Sequence, residues 1–139
     1  MIDALFWIFN ALALFGWAVL LGFPGWAMGR RLIVGLIIPA IFAFAYAVLF
    51  VPLYLQAQGG FGSIEKLLAL LSYDPAIVLA AWLHFLAFDL LIGRMILEES
   101  QTLQMPHRLM IAPLLLCFMF GPVGWLAFIL LKRWKTGRF

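Results

Sequence analysis

The sequence predicts an all-α membrane protein: a bundle of four transmembrane helices with a short interfacial helix between the second and third. Composition is the first observation behind this. Of 139 residues, 67% are hydrophobic and 11% charged, with a mean hydropathy of +1.13; a water-soluble domain is about half apolar and about a quarter charged. Length is the second. A helix needs about 20 apolar residues to cross the hydrocarbon layer, so the chain has room for four crossings, and 1–139 reads as a single integral membrane domain. The third is punctuation. GFPGWAMGRR (22–31), QAQGGFGSIEKLLALLSYD (56–74) and EESQTLQMPHR (98–108) bring Gly, Pro or charge between the apolar runs.

The first crossing is expected over 4–22. Asp3 precedes it and Arg30 and Arg31 follow it, the reverse of a secretory signal, so it reads as a permanent helix. The second crossing, 32–55, contains Pro39 and Pro52, which permit bends. After it, Ile64, Leu67, Leu68 and Leu71 recur on one helical face, Ser63 is a natural N-cap, and Glu65 falls in the first turn, where the helix dipole favours negative charge. Asp74 then caps the third crossing, 75–97, with Pro75 at its first position. The fourth, 109–131, carries Gly121, Pro122 and Gly124, which predict a kink and make room beside it. With four crossings both termini share a side, and the basic tail KRWKTGRF (132–139), with Trp134 at the interface, assigns that side to the cytoplasm or stroma. The membrane is then a bacterial inner or thylakoid membrane, or a plastid membrane in a eukaryote. A nucleic-acid role is not indicated by this tail or by a net charge of +3.

The informative polar residues lie inside the third crossing. An Asp or Arg at mid-membrane costs about 2.5–3.5 kcal/mol on insertion scales, so such residues turn to the bundle interior or a wet cavity and find partners there. At about 100° per residue, with His84 at zero, Asp89 lies at roughly 140°, Arg94 at roughly 280° and Glu98 at roughly 320°. His84 and Asp89 therefore face different neighbours, about 7.5 Å apart along the axis. Arg94 and Glu98 are spaced to pair, and Trp82, Asp89 and Gly93 share a face. Asn10, the one polar residue in the middle of the first crossing, is a natural partner for His84 or Asp89. Cys117 stands alone and reads as a packing residue. His84, Asp89 and Glu65 lack the HxxxH or ExxH spacing of helix-borne metal sites, and there is no phosphate loop, nucleophile elbow or nicotinamide fingerprint. No metal or cofactor is expected.

GSIEKLLALL (62–71), AAWLHFLAFDLLIGRMI (80–96), MPHRL (105–109) and MFGPVG (119–124) together resemble the small membrane family of the plant abscisic-acid-deficiency protein required for neoxanthin formation, whose bacterial members often carry only the description of a domain of unknown function. The resemblance covers about 60–131. Members often have tyrosine where this chain has Phe85, which lacks the hydroxyl. The resemblance implies redox-neutral isomerisation of an epoxidised carotenoid, violaxanthin, to the allenic neoxanthin. The epoxide oxygen is protonated, its C–O bond opens, and a proton leaves the adjacent polyene carbon, which calls for an acid and a base set apart. On that basis Asp89 or Glu65 is assigned as acid, His84 as base and Arg94 as the cation holding a carboxylate in place. Asn10, Trp82, Phe85, Phe88, Gly93, Gly121 and Pro122 are assigned to the substrate pocket. Two other classes compete: an accessory protein that binds a carotenoid or other isoprenoid lipid for a partner enzyme or as a homo-oligomer, and a proton or small-ion pathway. A pathway needs polar residues through the whole thickness, and the other crossings are nearly bare.

Overall fold

The computed structural model describes residues 1–137, and the described residues are helical apart from short connections. Helix α1 is Ile2–Gly22. A π-helical lead-in, Gly29–Ile37, runs into α2, Ile38–Tyr54; the wider winding ends just before Pro39, which has no N–H to give an α-helical ladder. Then come α3, Ile64–Leu71, and α4, Pro75–Thr102. Helix α1, α2 with its lead-in, and α4 are each long and apolar enough to cross a membrane.

Two local expectations are met at atomic detail. The Ser63 hydroxyl accepts the Lys66 N–H at 3.2 Å and caps α3. The Asp74 carboxylate accepts the Ala76 N–H at 2.7 Å, with Pro75 opening α4. The inward face of α3 is rotated from the expected one. Leu70 is buried against the backbone of Gly59, Leu67 and Leu71 are half-buried, and Ile64 and Leu68 point outward.

The fourth expected crossing is not one helix. Residues 109–131 divide between α5, His107–Phe120, and α6, Pro122–Thr136. Gly121 has φ +48° and Pro122 lacks an N–H, so the chain reverses there where a kink was expected. Each half is about 21–22 Å long, short of a bilayer's roughly 30 Å core. The halves lie antiparallel and in close contact: a Cβ on Gly124 would stand 2.1 Å from the backbone nitrogen of Cys117. Lys132, near the end of α6, meets Glu99, near the end of α4, at 2.6 Å. The α5–α6 hairpin thus enters and leaves at the same end of the bundle, with its tip beside Asp89 at the middle of α4.

The start of α1 and the end of α6 therefore lie at opposite ends of the bundle, contrary to the four-crossing expectation. Ile2 and Asp3 sit beside Asp74 and Pro75, while α6 ends near Glu99. Arg30, Arg31, Arg94, Arg108, Lys132, Arg133 and Lys135 gather at the α6 end, and among the described residues Lys66 is the one lysine or arginine at the other. Arg138, counted in the basic tail, lies outside the described residues.

Helix α4 is the axis. It packs against α1, α2 and α5, and Ala80, Leu83, Ala87 and Leu90 are buried along it. Glycines bring α1 close: Gly16 receives Leu90, and Gly93 receives the Trp17 ring. Cys117 is buried under Gly124, a packing position as expected.

In closed membrane vesicles, a membrane-impermeant maleimide should label Asp3→Cys and Lys135→Cys from opposite faces, and Met28→Cys from the same face as Lys135→Cys, with buried Cys117 silent. Labelling of positions 3 and 135 from one face would contradict the hairpin.

Candidate functional site

Beside the hairpin tip, residues of α1, α4 and the end of α5 line a cleft of about 630 Å³. Its walls are mainly aromatic and aliphatic, including Phe6, Trp7, Trp82, Phe85 and Phe118, and its polar groups are Asn10 and Asp89. Phe6 and Trp82 also line a second space of about 510 Å³, which leads to Asp3 and Asp74 at the amino-terminal end. From Pro75 to Asp89, 14 positions of helix place this pair of cavities along about 21 Å of α4. An apolar cavity with a few polar groups is the usual form of a ligand site.

Asp89 is half-buried at the tip, and the reason is local. A Cβ on Gly121 would stand 2.6 Å from Asp89 Oδ1, so the carboxylate lies against a backbone reversal that only glycine leaves open. Gly121 and Pro122, assigned to the pocket from the sequence, do line the cleft, as do Trp82 and Phe85. Asn10 lines it too, but its partner is not His84 or Asp89. The Trp82 Nε1–H donates to Asn10 Oδ1 at 3.2 Å, and the Asn10 amide donates to the Phe6 carbonyl at 2.7 Å. The side-chain bond ties α1 to α4 at the cleft wall.

His84 faces another way. Its ring lies against Phe88 at 4.7 Å, Tyr46 at 5.8 Å and Phe85 at 6.1 Å between centroids. It opens to spaces of about 380 Å³ and 180 Å³ between α4 and α2, reached by α3 through Leu67 and Leu71. Phe85 lines both this side and the Asp89 cleft and so stands between them. Phe88 belongs with His84, not with the cleft. Gly93 is filled by Trp17 and is a helix contact, so it contributes no ligand space. Helical spacing had indicated different neighbours for His84 and Asp89; it could not indicate two separate cavities.

Glu65 is exposed on α3 and lines none of these spaces. Its own backbone N–H and the Ser63 hydroxyl hold its carboxylate below the usual range, which suits a first-turn anion rather than a proton donor. Arg94 pairs with Glu98 at 3.1 Å, as its spacing predicts, and holds that carboxylate rather than Asp89. Among the described residues no three His, Cys, Asp or Glu side chains come together.

One arrangement is not apparent from the sequence: Arg30 and Arg31, which follow the first apolar run as flanking charges, both approach Glu98, at 3.6 and 3.9 Å. The available signal was the paired arginine after the first apolar run together with a glutamate ending the third.

The model of the ABA DEFICIENT 4-like family matches residues 4–128, a span that includes every residue of the cleft. No curated protein and no solved structure matches the chain.

Gly121→Ala should push Asp89 aside and strain the reversal, lowering stability in detergent by about 1–3 kcal/mol, whereas Asn10→Leu should cost about 0.6 kcal/mol, as membrane side-chain hydrogen bonds usually do. Thermal unfolding of the two variants checks the order.

Proposed function

The chain belongs to the ABA DEFICIENT 4-like family, and from that premise we propose that it isomerises an epoxidised carotenoid or related isoprenoid inside a membrane. Family membership suggests a carotenoid-related role; the reaction and its residues are our reading. The observation that carries it is the Asp89 carboxylate in a mainly aromatic and aliphatic cleft whose other polar side chain is Asn10. A polyene fits the walls, and an oxygenated end group would meet the acid.

The chemistry needs one proton moved and none consumed. In its protonated form Asp89 gives its proton to the epoxide oxygen as the C–O bond breaks, and that bond's electron pair stays on oxygen as a hydroxyl. The cation left on carbon is discharged when the adjacent polyene carbon loses a proton, whose C–H electrons form the new double bond of the allene. The Asp89 carboxylate produced in the first step is the base at hand for the second, so acid and base are one group used twice. His84, beyond Phe85, serves the other side of the helix in this scheme. Asn10 and Trp82 fix the cleft wall and aim the ligand.

The protein is read as multi-pass, with the end that holds Arg30, Arg31, Arg108 and Lys132 towards the cytoplasm or stroma and the amino end opposite, by the excess of basic residues. A second reading, a carotenoid-binding accessory protein, is favoured by the separation of His84 from Asp89, which leaves a single titratable group in the cleft.

Expression in cells that make violaxanthin should yield a new isomer, and Asp89→Asn should lower its yield by about 100-fold or more with the protein still inserted, while His84→Ala retains most of it. Full product from Asp89→Asn contradicts the isomerase reading. Unchanged pigment that co-purifies with the protein supports the accessory reading.

A further inference from the structure

At the basic end, on residues that do not line the cleft, the structure holds a charge arrangement that the isomerase reading does not use. Arg30, Arg31, Arg94, Glu98, Gln101 and Thr102 line a polar cavity of about 380 Å³. Three guanidinium groups face one carboxylate there, leaving an excess of two positive charges. Glu98 Oε2 accepts from Arg94 at 3.1 Å. Its other oxygen, Oε1, is 3.6 Å from Arg30 Nε and 3.9 Å from Arg31 Nε, within ion-pair reach but outside good hydrogen-bond distance. Arg30 Nε, Arg94 Nε and Glu98 Oε1 are all buried with no hydrogen-bond partner.

Arg30 makes this more than a solvated basic patch. It is 7% exposed, and a buried guanidinium without full hydrogen bonding is costly. One of its Nη groups donates to the Pro24 carbonyl, which the Gln101 amide also reaches at 2.7 Å, so the side chain is held by the 23–28 turn and α4 together. Its Nε is buried without a hydrogen-bond partner, 3.6 Å from Glu98 Oε1. Arg31, at the rim, is largely exposed and can swing over whatever enters. Several fixed N–H donors around a small polar space suit an anion with several oxygens, and guanidinium groups match phosphate geometry in particular.

We propose that this cavity binds a phosphate group, presented by the head group of an anionic membrane lipid or as free phosphate. Its position explains the excess charge. It lies where the apolar runs of α1 and α4 give way to polar sequence, the depth of a lipid head group, and Leu32 and Leu36 on the π-helical lead-in and Met95 on α4 expose apolar side chains. A bound phosphate would accept from the guanidinium groups that line the cavity and balance the two uncompensated charges.

The test uses the purified full chain in nanodiscs of phosphatidylcholine alone, of phosphatidylcholine with phosphatidylglycerol, and of phosphatidylcholine with added inorganic phosphate, read by thermal unfolding and by native mass spectrometry for retained lipid. Phosphatidylglycerol should raise the melting temperature saturably and remain bound, and Arg30→Gln or Arg31→Gln should weaken this about tenfold, while Lys135→Gln, basic and at the same end, leaves it unchanged. Arg31→Gln, an exposed position, keeps the test valid if Arg30→Gln does not fold. A response to phosphatidylglycerol alone supports a lipid head group, and a response to inorganic phosphate as well supports a general phosphate site. No response to either probe, or equal loss in Lys135→Gln and Arg31→Gln, overturns the proposal.

Discussion

Inside an apolar layer every backbone N–H and C=O must find a partner within the protein, and a chain reversal at that depth survives only where protein or a cavity surrounds it. Gly121–Pro122 is such a reversal, and the rest of the architecture follows from it. The break ends α5 and starts α6 with the fewest unmet groups: Gly121 donates its N–H to the Cys117 carbonyl, Gly124 donates back to the Gly121 carbonyl, and Pro122 has no N–H to satisfy. Covering the remaining polar backbone requires α4 on one side, which puts Asp89 against the reversal. A carboxylate and a bent backbone thus share one small polar region in otherwise apolar surroundings.

The same reversal sets the distribution of charge. Because α6 returns to the end it came from, its lysines and arginines join those of the first connection and of the end of α4 instead of opposing them. The result is a strongly basic end with two carboxylates engaged in it, Glu98 among the arginines and Glu99 with Lys132. Trp134, largely exposed beneath the Lys135 ammonium, has the amphipathic character of an interfacial anchor at that end. The opposite end is narrow in charge and rich in cavities. Polar anchoring and ligand space are therefore separated along the length of α4.

Glycine makes the contacts close enough for this arrangement. The Trp17 ring occupies the notch at Gly93, Leu90 fills the one at Gly16, and Gly124 lets α6 lie on the backbone of α5. With apolar lipid outside, packing rather than a hydrophobic difference holds helices together, and small residues allow the backbones to approach. One outcome is that Trp17 seals the lower part of the α1–α4 interface, so the open cleft is confined to the half above Asp89.

Much of this was legible in the residues because its causes are local. The apolar run lengths mark the three long helices, Ser63 and Asp74 announce the starts of α3 and α4, and the i, i+4 spacing of Arg94 and Glu98 makes their pair. The 140° offset between His84 and Asp89 likewise anticipates different neighbours. What lay beyond the sequence depends on where a helix goes after it ends. A glycine and a proline inside an apolar run are equally compatible with a kink and with a full reversal, and hydropathy does not distinguish them; only packing of Gly124 on Cys117 and of Lys132 on Glu99 selects the reversal. Nor does spacing along one helix reveal that Trp82 takes Asn10, that Trp17 fills Gly93, or that Arg30 and Arg31 reach Glu98. Those pairings join residues more than 60 positions apart, and such contacts are set by how helices rotate and pack against one another, which no single helix encodes.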